Sequence, residues 1–190
     1  MPGTPAGDVP PVPVHLSQCP AEGGLVVPYI SLRHANGRAA FGLIDSGRIA
    51  TCLRERRCGV CGQEMTDRMV FLMRRRDLDR ECSSEPGMCP PCAGYAIRAC
   101  PMISGQMDHY RRSQPQFLGR MCDDPLCLCW MWYSRPEPAR YGAPAEPWFS
   151  LWTRAYRIVR PPEGGIAAGF ADVRILAVRP VPQPGAEQER

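Results

Sequence analysis

Apolar positions along this chain fall into short runs separated by proline-broken stretches. Leu25–Ile30 and Ala39–Ile44 are two such runs, joined by His34-Ala35-Asn36-Gly37. Asn-Gly suits a tight hairpin turn, so residues 25–44 are expected to form a β-hairpin. Asp45 and Ser46 then offer helix N-caps, and Ile49, Cys52 and Leu53 recur at i, i+3 and i+4. That is one apolar stripe of a short helix over 47–56, with Cys52 as a small core residue. Arg68–Met73 has the compact apolar centre Val70-Phe71-Leu72. Met65, Met69 and Met73 are spaced by four, which also fits a helix, but a strand is the preferred reading because a finger of the kind argued below needs a hairpin there. A further helix opens at Cys89-Pro90-Pro91-Cys92, since proline is well suited to a first helical turn, and ends by Pro101. Residues 102–147 are irregular. Trp148–Val159, Ile166–Phe170 and Val173–Val178, with the turn Pro161–Gly165, read as an antiparallel β-meander.

The pattern divides the 190 residues into a flexible arm (1–24), holding six of the 22 prolines, one domain (25–179) and a polar tail (180–190). Within the domain lie a finger (58–101), a Cys-rich connection (102–147) and the meander (148–179). Runs of apolar residues are all far shorter than the 18 or so needed to cross a bilayer, so no membrane partner is expected. Residues 1–8 lack a basic stretch followed by an apolar one, which points to the cytoplasm.

Composition changes this picture at one point. There are 11 cysteines, an odd number. In a reducing compartment such a count points to metal rather than disulfides. Cys58-x2-Cys61 and Cys89-x2-Cys92 are separated by 27 residues. Two such pairs can each clip one edge of a tetrahedral Zn²⁺, with sulfur at about 2.3 Å. Gly59 and Gly62 allow the first pair a tight knuckle, and the second pair sits at a helix N-terminus that favours thiolate charge. Knuckle, hairpin, then a helix carrying the second pair is the order of a treble-clef zinc finger, so the expected fold is α+β and treble-clef-like. A closed four-cysteine site leaves no place for water and is structural. The competing readings are buried thiols, disulfides or an iron–sulfur cluster, the last lacking the tight cysteine run of ferredoxins. Cys122, Cys127 and Cys129 form a second group, able to hold another zinc with Cys100 or His109 as fourth ligand, or to be incidental cysteines in a proline-rich loop. Cys19 and Cys82 carry no role, and His15 and His34 read as solvated.

Cys58-x2-Cys61-Gly62, Ser84-Glu85-Pro86-x-Met88-Cys89-x2-Cys92-Ala93 and Ala99-Cys100-Pro101, with Leu151-Trp152-x2-Arg154-x-Tyr156-Arg157, resemble a family of small Cys-rich, zinc-finger-like proteins of high-GC Gram-positive bacteria and their phages. The resemblance spans about residues 25–180. It implies zinc and one compact unit, and His in place of Cys89 in relatives fits a ligand position. It brings no activity. Arg74-Arg75-Arg76 and the Cys122–Cys129 group depart from it.

Three function classes follow. An enzyme of the metal-dependent nuclease type needs a His near the finger hairpin, and none lies between Cys58 and Cys92. Recognised nucleophile, phosphate and zinc-protease motifs are also missing, so no catalytic residue is assigned. Nucleic-acid binding has some support: all 23 basic residues are Arg, net charge is +4, and residues 48–80 hold nine Arg against five carboxylates. Arg54, Arg56, Arg57, Arg74, Arg75, Arg76, Arg111 and Arg112 are the candidates, the alternative being a solvated face of Arg–carboxylate pairs. The leading expectation is a non-enzymatic regulatory protein binding a host protein, with Trp130, Met131, Trp132, Tyr133 and Trp148 as anchors, or else as core of the C-terminal sheet.

Overall fold

The computed structural model describes residues 9–112, 124, 126–134 and 138–183. The chain enters through a single 3-10 turn, Val14–Leu16, then forms β1 (Ala21–Glu22) and β2 (Leu25–Val26), which pair antiparallel. Leu16 is fully buried, so the described part of the expected arm is folded against the domain. β3 (Ser31–Arg33) and β4 (Ala39–Ile44) make the expected hairpin around Asn36-Gly37, with Gly37 at φ 82°. Its first strand begins later than expected. Residues 29 and 30 instead pair with the cysteine knuckle, the Tyr29 and Ile30 amides donating to the Val60 and Gly59 carbonyls.

Helix α1 (Ser46–Glu55) is capped as expected: the Asp45 carboxylate accepts from the Arg48 amide at 3.0 Å. Cys52 and Leu53 are buried on its inner face. After the knuckle comes β5 (Met69–Arg74), a strand buried along its whole length. Met69, Phe71 and Met73 face the main core, while Leu72 packs with Trp148 and Val181 on the other side. A strand covered on both faces reads as a continuous apolar run, which is what the sequence carries.

The expected finger hairpin is reduced to one bridge. β5 meets Val70 against Met88, just before the second cysteine pair. Its main partner is β7 (Trp148–Thr153), from far along the chain. Between them lie α2 (Arg75–Asp79), where a hairpin loop was expected, then β6 (Cys82–Ser83), α3 (Pro90–Ala99) with proline in its first turn, and the short α4 (Cys129–Trp132).

The C-terminal strands do not form one meander. The expected strand Trp148–Val159 breaks into β7 and β8 (Arg157–Val159). The Thr153 hydroxyl marks the break, donating to the Ala155 and Arg174 carbonyls. β9 (Ala167–Gly169) joins β6 and β8, whereas β10 (Ile175–Pro180) crosses to β7, giving the separate sheets β6-β9-β8 and β10-β7-β5, all antiparallel. Phe71 sits where these elements meet, edge-on to Tyr156 (5.4 Å) and Phe170 (4.9 Å). Among the described residues, no helix is long and apolar enough to cross a membrane.

Candidate metal centre

The knuckle Cys58–Gly62 is shaped by its glycines. The Gly62 amide donates to the Cys58 carbonyl at 2.9 Å, and Gly62 adopts φ 74°. A side chain there would be strained and would also meet the Tyr29 ring at 2.7 Å. The second pair is delivered by α3. Cys89 is its N-cap and Cys92 lies in its first turn, and the Val70–Met88 bridge fixes the approach.

These two elements bring the sulfurs of Cys58, Cys61, Cys89 and Cys92 within 4.8 Å of one another. Sulfurs at about 2.3 Å from a tetrahedral ion would stand roughly 3.8 Å apart, so only small shifts are needed to close the shell. Cys58 and Cys92 are fully buried, while Cys61 and Cys89 are partly so. The Cys89 amide donates to Cys58 Sγ at 3.4 Å, the outer contact that supports thiolate charge. Hydrogen bonds from the Cys58 and Cys92 thiols pull Cys89 down to about 4. A hydrogen bond from Cys61 lowers Cys58 to about 7, and the two donors Cys61 and Cys92 are raised in turn. The four thiols thus form one hydrogen-bonded, mutually coupled group. This tetra-Cys group is positioned to bind a metal ion.

The N-terminal segment adds what the sequence did not signal. His15 Nε2 lies 3.5 Å from Cys92 Sγ, and the Cys19 thiol is raised by burial and by the nearby Cys61 and Cys58. Neither residue sits in a periodic pattern, and only their proximity in space marks them. Burial also raises Cys52, to about 12, in keeping with a core thiol, and raises the half-buried Cys100.

The second cysteine group is rearranged. Cys122 lies outside the described residues. Cys127 and Cys129 are buried and do come together, but neither Cys100 nor His109 joins them: Cys100 closes α3, and His109 Nδ1 pairs with the Asp108 carboxylate at 3.1 Å. Their neighbour is His34, at the hairpin turn, rather than a histidine in solvent.

Several of the arginine candidates are engaged by carboxylates or rings. Arg74 is 6% exposed and grips Asp77 through two guanidinium nitrogens at 2.7 Å each. Arg75 pairs with Asp79 at 3.2 Å, Arg76 with Glu146 at 3.6 Å and Arg57 with Glu55 at 2.7 Å. Arg56 lies over the Tyr156 ring, while Arg54, Arg111 and Arg112 are exposed. Of the candidate anchors, Trp148 is core and Tyr133 is half-buried against β4, its neighbour Ser134 donating to the Ile44 carbonyl. Trp130, Met131 and Trp132 remain outside, at 59%, 55% and 52% exposure.

Fold and site together define an α+β protein with a four-cysteine group able to hold a metal ion. No family model, curated protein or solved structure matches the chain.

Proposed function

We propose that this chain is a non-enzymatic binding protein, stabilised by Zn²⁺ at Cys58, Cys61, Cys89 and Cys92, that engages a protein partner through the segment Leu126–Trp132. One observation carries the reading. Within seven residues Leu126, Leu128, Trp130, Met131 and Trp132 are all more than half exposed. Single exposed apolar side chains are ordinary, but a run of five with two tryptophans is the composition of an interface anchor. A set of four thiolates suits Zn²⁺ in a closed structural site. Knuckle, strand and helix-borne second pair keep the order of a treble clef, its hairpin reduced to one bridge.

Nucleic acid is the weaker partner class. To reach phosphates, Arg74, Arg75 and Arg76 would have to leave Asp77, Asp79 and Glu146.

The test is affinity capture with the full chain beside Trp130→Ala/Trp132→Ala, both checked for equal metal content. A stoichiometric protein held by the unaltered chain and lost by the double variant is expected. Identical capture by both, or none by either, overturns the reading.

A further inference from the structure

We propose that His34, Cys127 and Cys129 form a second metal site, separate from the four-cysteine centre, that takes a borderline-soft divalent cation such as Zn²⁺. A ring nitrogen of His34 and the sulfurs of Cys127 and Cys129 lie within 4.8 Å of one another. That spacing admits a tetrahedral ion with nitrogen at about 2.0–2.1 Å and sulfur at about 2.3 Å. One nitrogen with two sulfurs is a donor set of zinc chemistry rather than of magnesium or calcium.

Three further observations point to a ligand. First, His34 Nδ1 is buried and has no hydrogen-bond partner among the described residues. Roughly 90% or more of buried polar groups have a partner, and leaving one without is costly, a cost that a cation's coordination would offset. Second, the Ala35 amide donates to Cys127 Sγ at 3.2 Å. This is the same amide-to-sulfur contact that Cys89 makes to Cys58 in the four-cysteine centre, and it favours thiolate at Cys127. Third, among the described residues the buried apolar cluster here holds Leu32 and Leu43 besides Cys127 and Cys129, with Ala40 and Tyr133 at the margin, a small core for an ion to brace.

The local fold supplies the approach. Asp124 folds the chain back, its carboxylate accepting from the Leu126 amide at 2.9 Å and its carbonyl from the Cys127 amide at 3.1 Å. Cys127 then faces the hairpin turn, and Cys129 opens α4 two residues later. The alternation turns both cysteines inward and Leu126, Leu128 and Trp130 outward. An ion here would fix the loop that displays the apolar patch, yet the site stands whether or not that patch has a protein partner.

The experiment loads the full chain, purified under reductant, with Zn²⁺ and counts ions per chain after desalting. About two are expected for the unaltered protein, and about one for His34→Ala and for Cys127→Ser. His34→Cys, which substitutes one zinc donor for another, should restore about two, a result that a merely structural imidazole would not give. Cobalt loading provides a reading of geometry: His34→Ala should lose the part of the tetrahedral visible absorption that Cys127→Ser also loses. His34→Ala and Cys127→Ser should each keep the ion of the four-cysteine centre, so failure of that centre (no ion in any variant) and failure of this site (one ion in all of them) are distinguishable. A count that is the same in the unaltered chain and His34→Ala, or a second ion indifferent to Cys127→Ser, overturns the proposal.

Discussion

Leu16 shows how much one side chain can decide. Its chain neighbours are prolines, exposed valines and exposed polar residues, yet it is fully buried in the same apolar cluster as Phe71 and Tyr95. The Leu16 amide donates to the Pro13 carbonyl at 2.8 Å and the Cys19 amide to the Leu16 carbonyl at 2.9 Å, so two tight turns drive the side chain inward. Its position also brings His15 and Cys19 beside the sulfurs of the four-cysteine group. Leu16→Ala removes buried methyls and leaves a cavity, and should cost about 2–5 kcal/mol, read as a lower denaturant midpoint with unchanged slope. A shift within about 0.5 kcal/mol, normal for a surface position, would return residues 9–24 to the status of an arm. Nothing in the local pattern announces this: one leucine among prolines has no period. By contrast Asn36-Gly37 and Gly62 were legible, because each carries a backbone conformation that few other residues adopt.

At the scale of elements, local signals succeeded, the β3–β4 hairpin among them, whereas pairings between distant segments did not. The α1 cap at Asp45, the Pro90-Pro91 start of α3 and the apolar run of β5 each state their structure within a few residues. Which strand lies beside β5 depends on shape complementarity with a segment some 80 residues away, and no period encodes that. The same holds for Tyr156. It falls in the break between β7 and β8, and its hydroxyl donates to the Leu53 carbonyl at 2.6 Å, satisfying one of the last carbonyls of α1. Tyr156→Phe should therefore cost about 1–2 kcal/mol, since the carbonyl is left buried without its partner. The tyrosine also has a pH signature. Burial pushes its hydroxyl up to about 12 from an ordinary 10, so the unfolded chain ionises first as pH rises. Its contribution is complete below pH 10 and is lost towards pH 12. The gap in melting temperature between the unaltered protein and Tyr156→Phe should therefore narrow across that range. A constant gap would mean that the hydroxyl is not buried as described.

For the whole molecule, the question is whether the four-cysteine group is an ornament on a self-sufficient core or the reason that the core closes. Cys58 and Cys92 belong to the same buried cluster as Met69, Phe71 and Leu151. The knuckle holds residues 29 and 30 through two amide–carbonyl bonds, and the second pair is tied to β5 through the Val70–Met88 bridge. Hairpin, central strand and α3 thus converge on these sulfurs. Structural zinc in small fingers supplies about 10–16 kcal/mol of apparent binding free energy at neutral pH, against about 5–15 kcal/mol for the net stability of a whole domain. If even a large part of that applies here, metal loss cannot be confined to the knuckle. Chelation of the reduced protein, or Cys58→Ser, should abolish hydrogen-exchange protection in β5 and β7 together with that of residues 58–92, and the loss should reverse when Zn²⁺ is returned to the chelated chain. Protection that survives in β5 and β7 while only the knuckle opens would show that the apolar core, from Leu16 to Phe170, closes without the ion, and that the metal serves the surface rather than the fold.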